Sequence, residues 1–188
     1  MLARALADPA WSGRHCTQKR VLELGAGTGV VGLMALALGA ASVTMTDRVL
    51  GVAESNLRLN FPSASDRERC RVRRLKWGDD QAISALKAEA GGAFDLIVTA
   101  DTLYESTPGE LLASTISSLA GPATTVLIAS PNPGVRFFEV VAEYGFEVET
   151  VTEDPVVVGA VTGLAEQRSK SDRSSPGRKM HLWRLQRK

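Results

Sequence analysis

The feature that most constrains the fold is a short, mainly apolar run, residues 21–24, followed by three alternating glycines, Gly25, Gly27 and Gly29. Such a run is typical of a buried strand, and glycine suits a turn whose backbone approaches a ligand closely. Residues 28–38 are apolar and rich in alanine and leucine, which predicts a helix whose first amides have no partner within it. A strand, a glycine turn and a helix in this order indicate a nucleotide-type binding site.

Two classes of ligand fit this turn. Residues 27–32 match the G-x-G-x-x-G pattern of dinucleotide-binding proteins, and Asp47 lies about 20 residues further on, as that pattern requires. Glu23, two residues before the first glycine, favours a positively charged ligand over a pyrophosphate. A sulfonium and an amino group carry such charge. The remaining alternative is an ordinary turn with chance glycines.

The turn resembles the first motif of the class I S-adenosylmethionine-dependent methyltransferases, acid-x-G-x-G-x-G, which begins here at Glu23. The resemblance implies S-adenosyl-L-methionine as the cofactor. The residues implied to bind it are Glu23 and, in the turn, Gly25, Ala26, Gly27, Thr28 and Gly29. A nicotinamide oxidoreductase would need a second mononucleotide half or a catalytic domain, for which 188 residues leave no room.

Strand and helix patterns alternate along most of the chain. Strands are predicted at residues 21–24, 42–46, 71–75, 94–99 and 123–129, with helices between them. This spacing predicts a doubly wound, mostly parallel α/β sheet. No periodic helix separates residues 146–151 from residues 179–185, which predicts a C-terminal antiparallel hairpin. The five parallel strands and the hairpin together predict a seven-stranded, Rossmann-like, three-layer α/β/α fold.

We expect one domain over residues 1–188, with an N-terminal helix within residues 1–20. Residues 168–179 are polar and contain no apolar side chain apart from proline and glycine, which predicts a mobile loop. The basic residues from Arg168 onward fit a nucleic-acid footprint, an acidic-protein docking surface or a solvated end. No aromatic alternates with them in the loop, so single-stranded nucleic acid is not indicated.

Polar and aromatic residues follow the predicted strands, where ligands bind in open parallel sheets. Asp47 is predicted to accept hydrogen bonds from ribose hydroxyls, because an ionised carboxylate is only an acceptor; the alternative is a helix cap. Trp77 is predicted to lie against the adenine, with a core position equally open. Asp79 or Asp80 is predicted to cap the next helix. The predicted cofactor site also includes Arg48, Lys76 and Ala100.

The run from Asp101 to Tyr104, with residues 75–78 and 94–97, resembles methyltransferase family 16, a mostly protein-lysine-methylating group with an acid-x-x-Tyr/Phe motif after strand 4. The resemblance covers roughly residues 2–146. It implies an N-methyltransferase acting on a protein lysine, with Asp101 and Tyr104 as catalytic residues. Asp101 would stabilise charge developing on the attacking amine, and Tyr104 would wall the channel. The alternative makes Asp101 a helix cap and Tyr104 a core residue.

The N-terminal segment departs from the family pattern. Family members usually have a longer segment before the first strand, with a tryptophan-bearing stretch over the methionine end of the cofactor. Here 20 residues precede Val21, and Trp11 lies close to the strand. The alternatives are therefore a truncated or minimal form, or a non-catalytic methyltransferase-fold interaction protein. Histidine and small amines remain alternative targets.

Composition sets further expectations. The net charge of +1 gives no global argument for a polyanionic partner. Two cysteines and two histidines without ligand spacing predict no metal site and a reducing compartment, the cytoplasm, with the nucleus as an alternative. No apolar run approaches the roughly 18 residues of a membrane span. We expect a monomer acting on a protein.

Overall fold

The computed structural model of the chain describes residues 1–103, 108–131, 135–151 and 180–188. The strands are β1 (Arg20–Leu24), β2 (Ser42–Asp47), β3 (Cys70–Arg74), β4 (Phe94–Ala100), β5 (Ala120–Ser130), β6 (Phe146–Thr150) and β7 (His181–Arg187). The helices are α1 (Leu2–Leu6), α2 (Pro9–His15), α3 (Val30–Ala37), α4 (Gly51–Asn60), α5 (Ala64–Glu68), α6 (Asp80–Glu89), α7 (Gly109–Leu119) and α8 (Val135–Glu143).

The strands form one seven-stranded sheet in the order β3-β2-β1-β4-β5-β7-β6. Strands β1 to β5 are parallel, and β7 lies antiparallel between β5 and β6. This confirms the predicted doubly wound sheet with a C-terminal antiparallel pair. The chain order reverses between β1 and β4, and the crevice at the carboxyl ends of these two strands is where such folds bind ligands.

Helices cover both faces of the sheet. Side chains alternate along β1, so that Val21 joins the core beneath α1, α3 and α4, whereas Leu22 and Leu24 join the core beneath α6, α7 and α8. Val21, Leu22 and Leu24 are fully buried. Truncating such a leucine to alanine typically costs about 2–5 kcal/mol. The sheet is therefore a rigid platform for the residues at its carboxyl edge.

Several elements differ from the sequence predictions. The predicted N-terminal helix is two short helices, because Pro9 begins the second one and Asp8 caps it by accepting a hydrogen bond from the Ala10 amide at 2.9 Å. The connection between β2 and β3 contains two helices, because the short α5 follows α4 and includes residues 66–68. Strand β5 begins at Ala120 rather than at residue 123, with a register shift in its pairing to β4.

Two predictions fall on residues outside the described ranges: Tyr104 and the loop at residues 168–179. Among the described residues, no helix has the length and hydropathy needed to cross a membrane. In the same residues, no cluster of three or more histidine, cysteine, aspartate or glutamate side chains is arranged to hold a metal ion.

Candidate functional site

The carboxyl ends of β1 to β4 meet around a cavity of about 310 Å³. This volume lies at the lower end of the range of about 300–1,000 Å³ typical of small-molecule sites. The start of α7 closes one side of the cavity. The lining residues are Gly25, Asp47, Arg48, Leu75, Lys76, Trp77, Asp101, Thr102, Pro108 and Leu111.

Gly25 begins the turn after β1 and lies where no other residue fits. Its φ is +70°, and a Cβ at this position would lie 2.6 Å from Thr102 Cγ2 and 3.3 Å from Trp77 Cζ2. Side chains from after β3 and after β4 therefore pack directly against the turn. The missing side chain lets three strand ends converge on one cavity.

Asp47 ties the end of β2 to the glycine turn. Its Oδ2 accepts a hydrogen bond from the Gly27 amide at 2.8 Å, and its Oδ1 accepts from the Arg48 amide at 2.6 Å and from the Val49 amide at 3.2 Å. It does not cap α4, whose N-cap is Leu50. Carboxylate oxygens have further acceptor capacity, so Asp47 can still receive hydroxyl donors from a ligand in the cavity.

Glu23 lies outside the cavity lining. Its side chain is 3% exposed on the α3 side of the sheet, and its Oε2 accepts a hydrogen bond from the Gly32 amide at 2.9 Å. Burial raises the pKa of Glu23 to about 7; Gly32 and Val31 amides oppose the shift and the charge of Asp47 adds to it. Glu23 therefore supports the first turn of α3, and direct cofactor binding by this residue stays a prediction.

Trp77 is held at the cavity by the segment that follows β3. The Gly78 amide donates to Thr115 Oγ1 at 2.9 Å, which anchors this segment to α7. The ring of Trp77 is half-buried and lines the cavity. Asp79 caps α6 by accepting from the Ala82 amide at 3.0 Å, which confirms the predicted cap.

Asp101 follows β4 with a backbone that non-glycine residues rarely adopt. Its φ is +54°, and its amide donates to the Ala129 carbonyl at 2.7 Å. Such a conformation costs of order 1–3 kcal/mol and is concentrated at functional sites. The side chain is exposed and lines the cavity. Asp101 does not cap α7, whose N-cap is Pro108.

Thr102 fixes the backbone next to Asp101, and sequence reasoning missed it. Its Oγ1 lies 2.5 Å from Thr99 Oγ1, both side chains are buried, and its methyl group packs against Gly25. The hydroxyl of Ser130 donates to the Leu103 carbonyl at 3.2 Å, which anchors the same segment to β5. The signal available in the sequence was the position of Thr102 inside the Asp-x-x-Tyr motif.

The structure gathers about half of the predicted site residues into the cavity. The lining includes Gly25, Asp47, Arg48, Lys76, Trp77 and Asp101. Glu23, Ala26, Gly27, Thr28, Gly29 and Ala100 lie outside the lining, although Gly27 reaches it through its bond to Asp47. Leu75, Pro108 and Leu111 were not predicted, because an aliphatic or proline side chain in a cavity wall has the same sequence signature as one in the core.

This arrangement suits one kind of ligand. An acceptor carboxylate, Asp47, a flat ring, Trp77, and a second carboxylate, Asp101, share the cavity. Hydroxyl groups, an aromatic base and a positive charge on one ligand would each find a complementary group there.

Comparisons with known proteins identify the relatives of the chain. A family model described as lysine methyltransferase matches residues 2–142. The chain is 39% identical over 114 residues to EEF1A lysine methyltransferase 3 of Mus musculus, covering 60% of this chain and 45% of that protein. It is 38% identical over 113 residues to protein N-lysine methyltransferase METTL21A of Danio rerio, covering 59% and 49%. The matches thus span about half the length of these curated relatives.

Solved structures share the fold at low identity. A TehB-like SAM-dependent methyltransferase from Corynebacterium glutamicum aligns over 99% of this chain and 86% of its own, with a TM-score of 0.62 and 18% identity. A ribosomal protein L11 methylase from Lactobacillus delbrueckii subsp. bulgaricus aligns over 92% and 71%, with a TM-score of 0.54 and 21% identity. By its sheet topology and by the family model that matches most of its length, the chain belongs to the lysine methyltransferase family.

Proposed function

We propose that this protein is an S-adenosyl-L-methionine-dependent N-methyltransferase that methylates a lysine side chain of a protein. The observation that carries the proposal is that Asp47 and Asp101, from the ends of two strands, line one cavity together with Gly25. Similarity to EEF1A lysine methyltransferase 3 and to protein N-lysine methyltransferase METTL21A supports the same activity.

The lining residues fit the cofactor. Asp47 offers carboxylate oxygens to the two ribose hydroxyls, and Trp77 and Leu75 offer apolar surface to the adenine. The absence of a side chain at Gly25, where a Cβ would meet Thr102 and Trp77, keeps the backbone of the turn against the cavity. Arg48 and Lys76 complete the same rim. When bound, the cofactor supplies an electrophilic methyl group on a sulfonium.

Asp101 has the central role in the proposed chemistry. An amine that accepts the methyl group would gain positive charge on its nitrogen. The Asp101 carboxylate would stabilise that charge and orient the nitrogen lone pair by accepting an N–H hydrogen bond. A nearby carboxylate raises the pKa of an amine, so the lysine would lose its proton to water before it reaches Asp101.

The strained backbone of Asp101 is held in place by contacts on both sides. The hydrogen bond from the Asp101 amide to the Ala129 carbonyl and the contact between Thr99 and Thr102 hold the backbone around its Cα. The Cα of Asp101 is therefore fixed before the substrate arrives, which limits where its carboxylate can lie and lowers the reorganisation needed in the transition state. The role of Tyr104 stays a prediction, because this residue lies outside the described ranges. The cytoplasmic location and monomeric state stay predictions.

Transfer of a radiolabelled methyl group into fractionated cell extract, followed by mass spectrometry of the labelled protein, tests the proposal. We expect label on a lysine side-chain nitrogen, and a loss of about 100-fold or more with Asp101→Ala. Calorimetry with the cofactor and its demethylated product is the companion measurement. An absence of binding would leave the non-catalytic interaction protein, and label on histidine or a small amine would replace lysine as the target.

A further inference from the structure

Charge is distributed unevenly along the chain. Residues 48–76 contain eight arginine and lysine residues against three acids, a net charge of +5. The rest of the chain contains fourteen basic and eighteen acidic residues, a net charge of −4. The basic segment comprises α4, α5 and β3, and β3 is an edge of the sheet. Positive charge is therefore in excess at the β3 edge of the sheet.

Two aliphatic side chains are exposed on the outer side of α4. Val52 is 52% exposed and Leu59 is 79% exposed, seven residues apart and thus on one side of the helix. Val49, 69% exposed, lies just before the helix, three residues before Val52. Ala53 and Leu57 are buried on the opposite side. The three exposed aliphatic side chains offer apolar contacts to a partner at this end of the sheet.

Three arginines lie next to these aliphatic side chains, either in the sequence or on the adjoining strand β3. Arg48 precedes Val49, and Arg58 precedes Leu59. Arg74 lies on the sheet face that α4 covers, because Cys70 and Val72, which alternate with it along the strand, pack into the core beneath α4. We call the residues Val49, Val52, Leu59, Arg48, Arg58 and Arg74 the α4 surface.

The arginines of the α4 surface are available to a partner. Within the ranges that the structure describes, no carboxylate lies within ion-pair distance of Arg48 or Arg74. Arg58 pairs with Glu54 at 3.3 Å, but both side chains are largely exposed, and such pairs contribute about 0–1 kcal/mol. By contrast, Arg71 and Arg73, on the other face of β3, share Glu89.

The α4 surface is continuous with the candidate active site. Arg48 lines the cavity that also contains Asp101. The Asn56 side chain donates to the Thr28 carbonyl at 2.9 Å, so α4 lies directly beside the glycine turn. A polypeptide lying along α4 would therefore reach the rim of the cavity at Arg48.

We propose that the α4 surface binds an acidic segment of the protein substrate, with apolar side chains of that segment on Val52 and Leu59 and its carboxylates on the arginines. The proposal rests on the proposed function, whose substrate class it narrows. The exposed arginines favour an acidic partner through charge complementarity. The exposed aliphatic side chains favour a polypeptide. Nucleic acid fits less well, because residues 48–76 contain one aromatic residue, the half-buried Phe61, and so provide no stacking platform.

Two matched variants test the α4 surface. The surface variant combines Val52→Ser, Leu59→Ser, Arg58→Gln and Arg74→Gln, which leaves the cavity lining intact. The control combines Tyr144→Ser, Val148→Ser, Arg4→Gln and Arg14→Gln, which changes two exposed hydrophobic residues and two exposed arginines elsewhere. Thermal melting and calorimetry with the cofactor verify that both variants fold and bind it as the parent does.

Methyl transfer into cell extract is the first readout. We expect the surface variant to label protein at about one tenth of the parental rate or less, and the control to stay within about twofold. A lysine-free peptide of glutamate and leucine should compete with labelling, and the same peptide with glutamine should not. Equal rates for the two variants, or equal competition by the two peptides, would overturn the proposal.

Direct binding separates this proposal from the proposed function. Fluorescence anisotropy of the labelled glutamate–leucine peptide needs no catalysis, and we expect affinity about tenfold below the parental value for the surface variant. Peptide binding without methyl transfer would contradict the proposed methyltransferase activity but agree with the proposed binding at the α4 surface. Methyl transfer with no preference for the acidic peptide would contradict binding at the α4 surface but agree with the methyltransferase activity. Tighter binding of single-stranded RNA than of the acidic peptide at the α4 surface would also refute it.

Discussion

At the scale of single residues, alanine substitutions at Gly25 and Gly27 distinguish the cost of a left-handed backbone from the cost of a steric clash. Both have positive φ, so alanine at either position carries a left-handed backbone cost of about 1–2 kcal/mol. The new Cβ of Gly25→Ala also meets Thr102 and Trp77, whereas that of Gly27→Ala meets no atom within 4 Å. Calorimetry should therefore show cofactor affinity falling about tenfold or more for Gly25→Ala and much less for Gly27→Ala. Equal losses would mean that crowding at Gly25 does not shape the cavity.

Thr102 offers a test of positioning beside Asp101. Thr102→Val keeps the methyl group against Gly25 but removes the hydroxyl that meets Thr99, so a buried polar group loses a partner at about 1–3 kcal/mol. We expect a lower melting temperature and a kcat reduced about tenfold, with cofactor affinity nearly unchanged. Thr102→Ser keeps the hydroxyl and should restore kcat. A serine variant as slow as the valine variant would assign the effect to packing instead.

Glu23 makes the stability of the fold depend on pH. Burial raises its pKa from 4.5 to about 7. Between these values the unfolded chain releases the proton while the folded chain keeps it, so stability falls as pH rises through this window and is level above it. At about 1.4 kcal/mol per pKa unit, the loss is on the order of 3 kcal/mol.

The matched variant for this prediction is Glu23→Gln. Its amide oxygen can accept the Gly32 hydrogen bond without a titrating group. Urea unfolding at about pH 5 and about pH 8 should give a smaller stability difference for the variant than for the parent. Identical differences would place the titration of Glu23 outside this window.

Residue type decided which site residues could be predicted. Asp47, Trp77 and Asp101 could be predicted because they follow predicted strands, where ligands bind in open parallel sheets. Thr102 and Leu111 carry no such mark, since their contacts across the cavity depend on packing between distant elements. The side to which Glu23 points follows from alternation along β1, yet its partner, the Gly32 amide, is set by how α3 lies on the sheet.

At the scale of elements, the cap of α6 gives a simple prediction. The Asp79 side chain accepts a hydrogen bond from the Ala82 amide, whereas Asp80 lies in the first turn of the helix. Asp79→Ala should lower the free energy of unfolding by about 1 kcal/mol, and Asp80→Ala by a few tenths. Chemical denaturation of both variants measures this, and a larger loss for Asp80→Ala would reverse the assignment.

Element types followed from periodicity, whereas several element ends did not. The βαβ alternation and the C-terminal antiparallel pair were predicted because local patterns of apolar residues determine them. The extension of β5 to Ala120 was not, because it depends on pairing with Phe94 across a register shift. The break between α1 and α2 was missed although Asp8 and Pro9 form a common helix start.

At the scale of the whole molecule, binding of the cofactor should stabilise the fold. The cavity joins β1, β2, the segment after β3 and the segment after β4, so a ligand there contacts both halves of the sheet across the switch between β1 and β4. At about 100 times its Kd, a ligand that binds only the folded chain stabilises it by about 2.7 kcal/mol, or about 5–10 °C for a chain of this size. Thermal melting with S-adenosylmethionine or its demethylated product should show this shift, and at the same ligand concentration Gly25→Ala should reduce it by about half or more, in line with an affinity loss of about tenfold or more. NADH should leave the melting temperature unchanged; a shift with NADH alone would return the glycine turn to the dinucleotide-binding class.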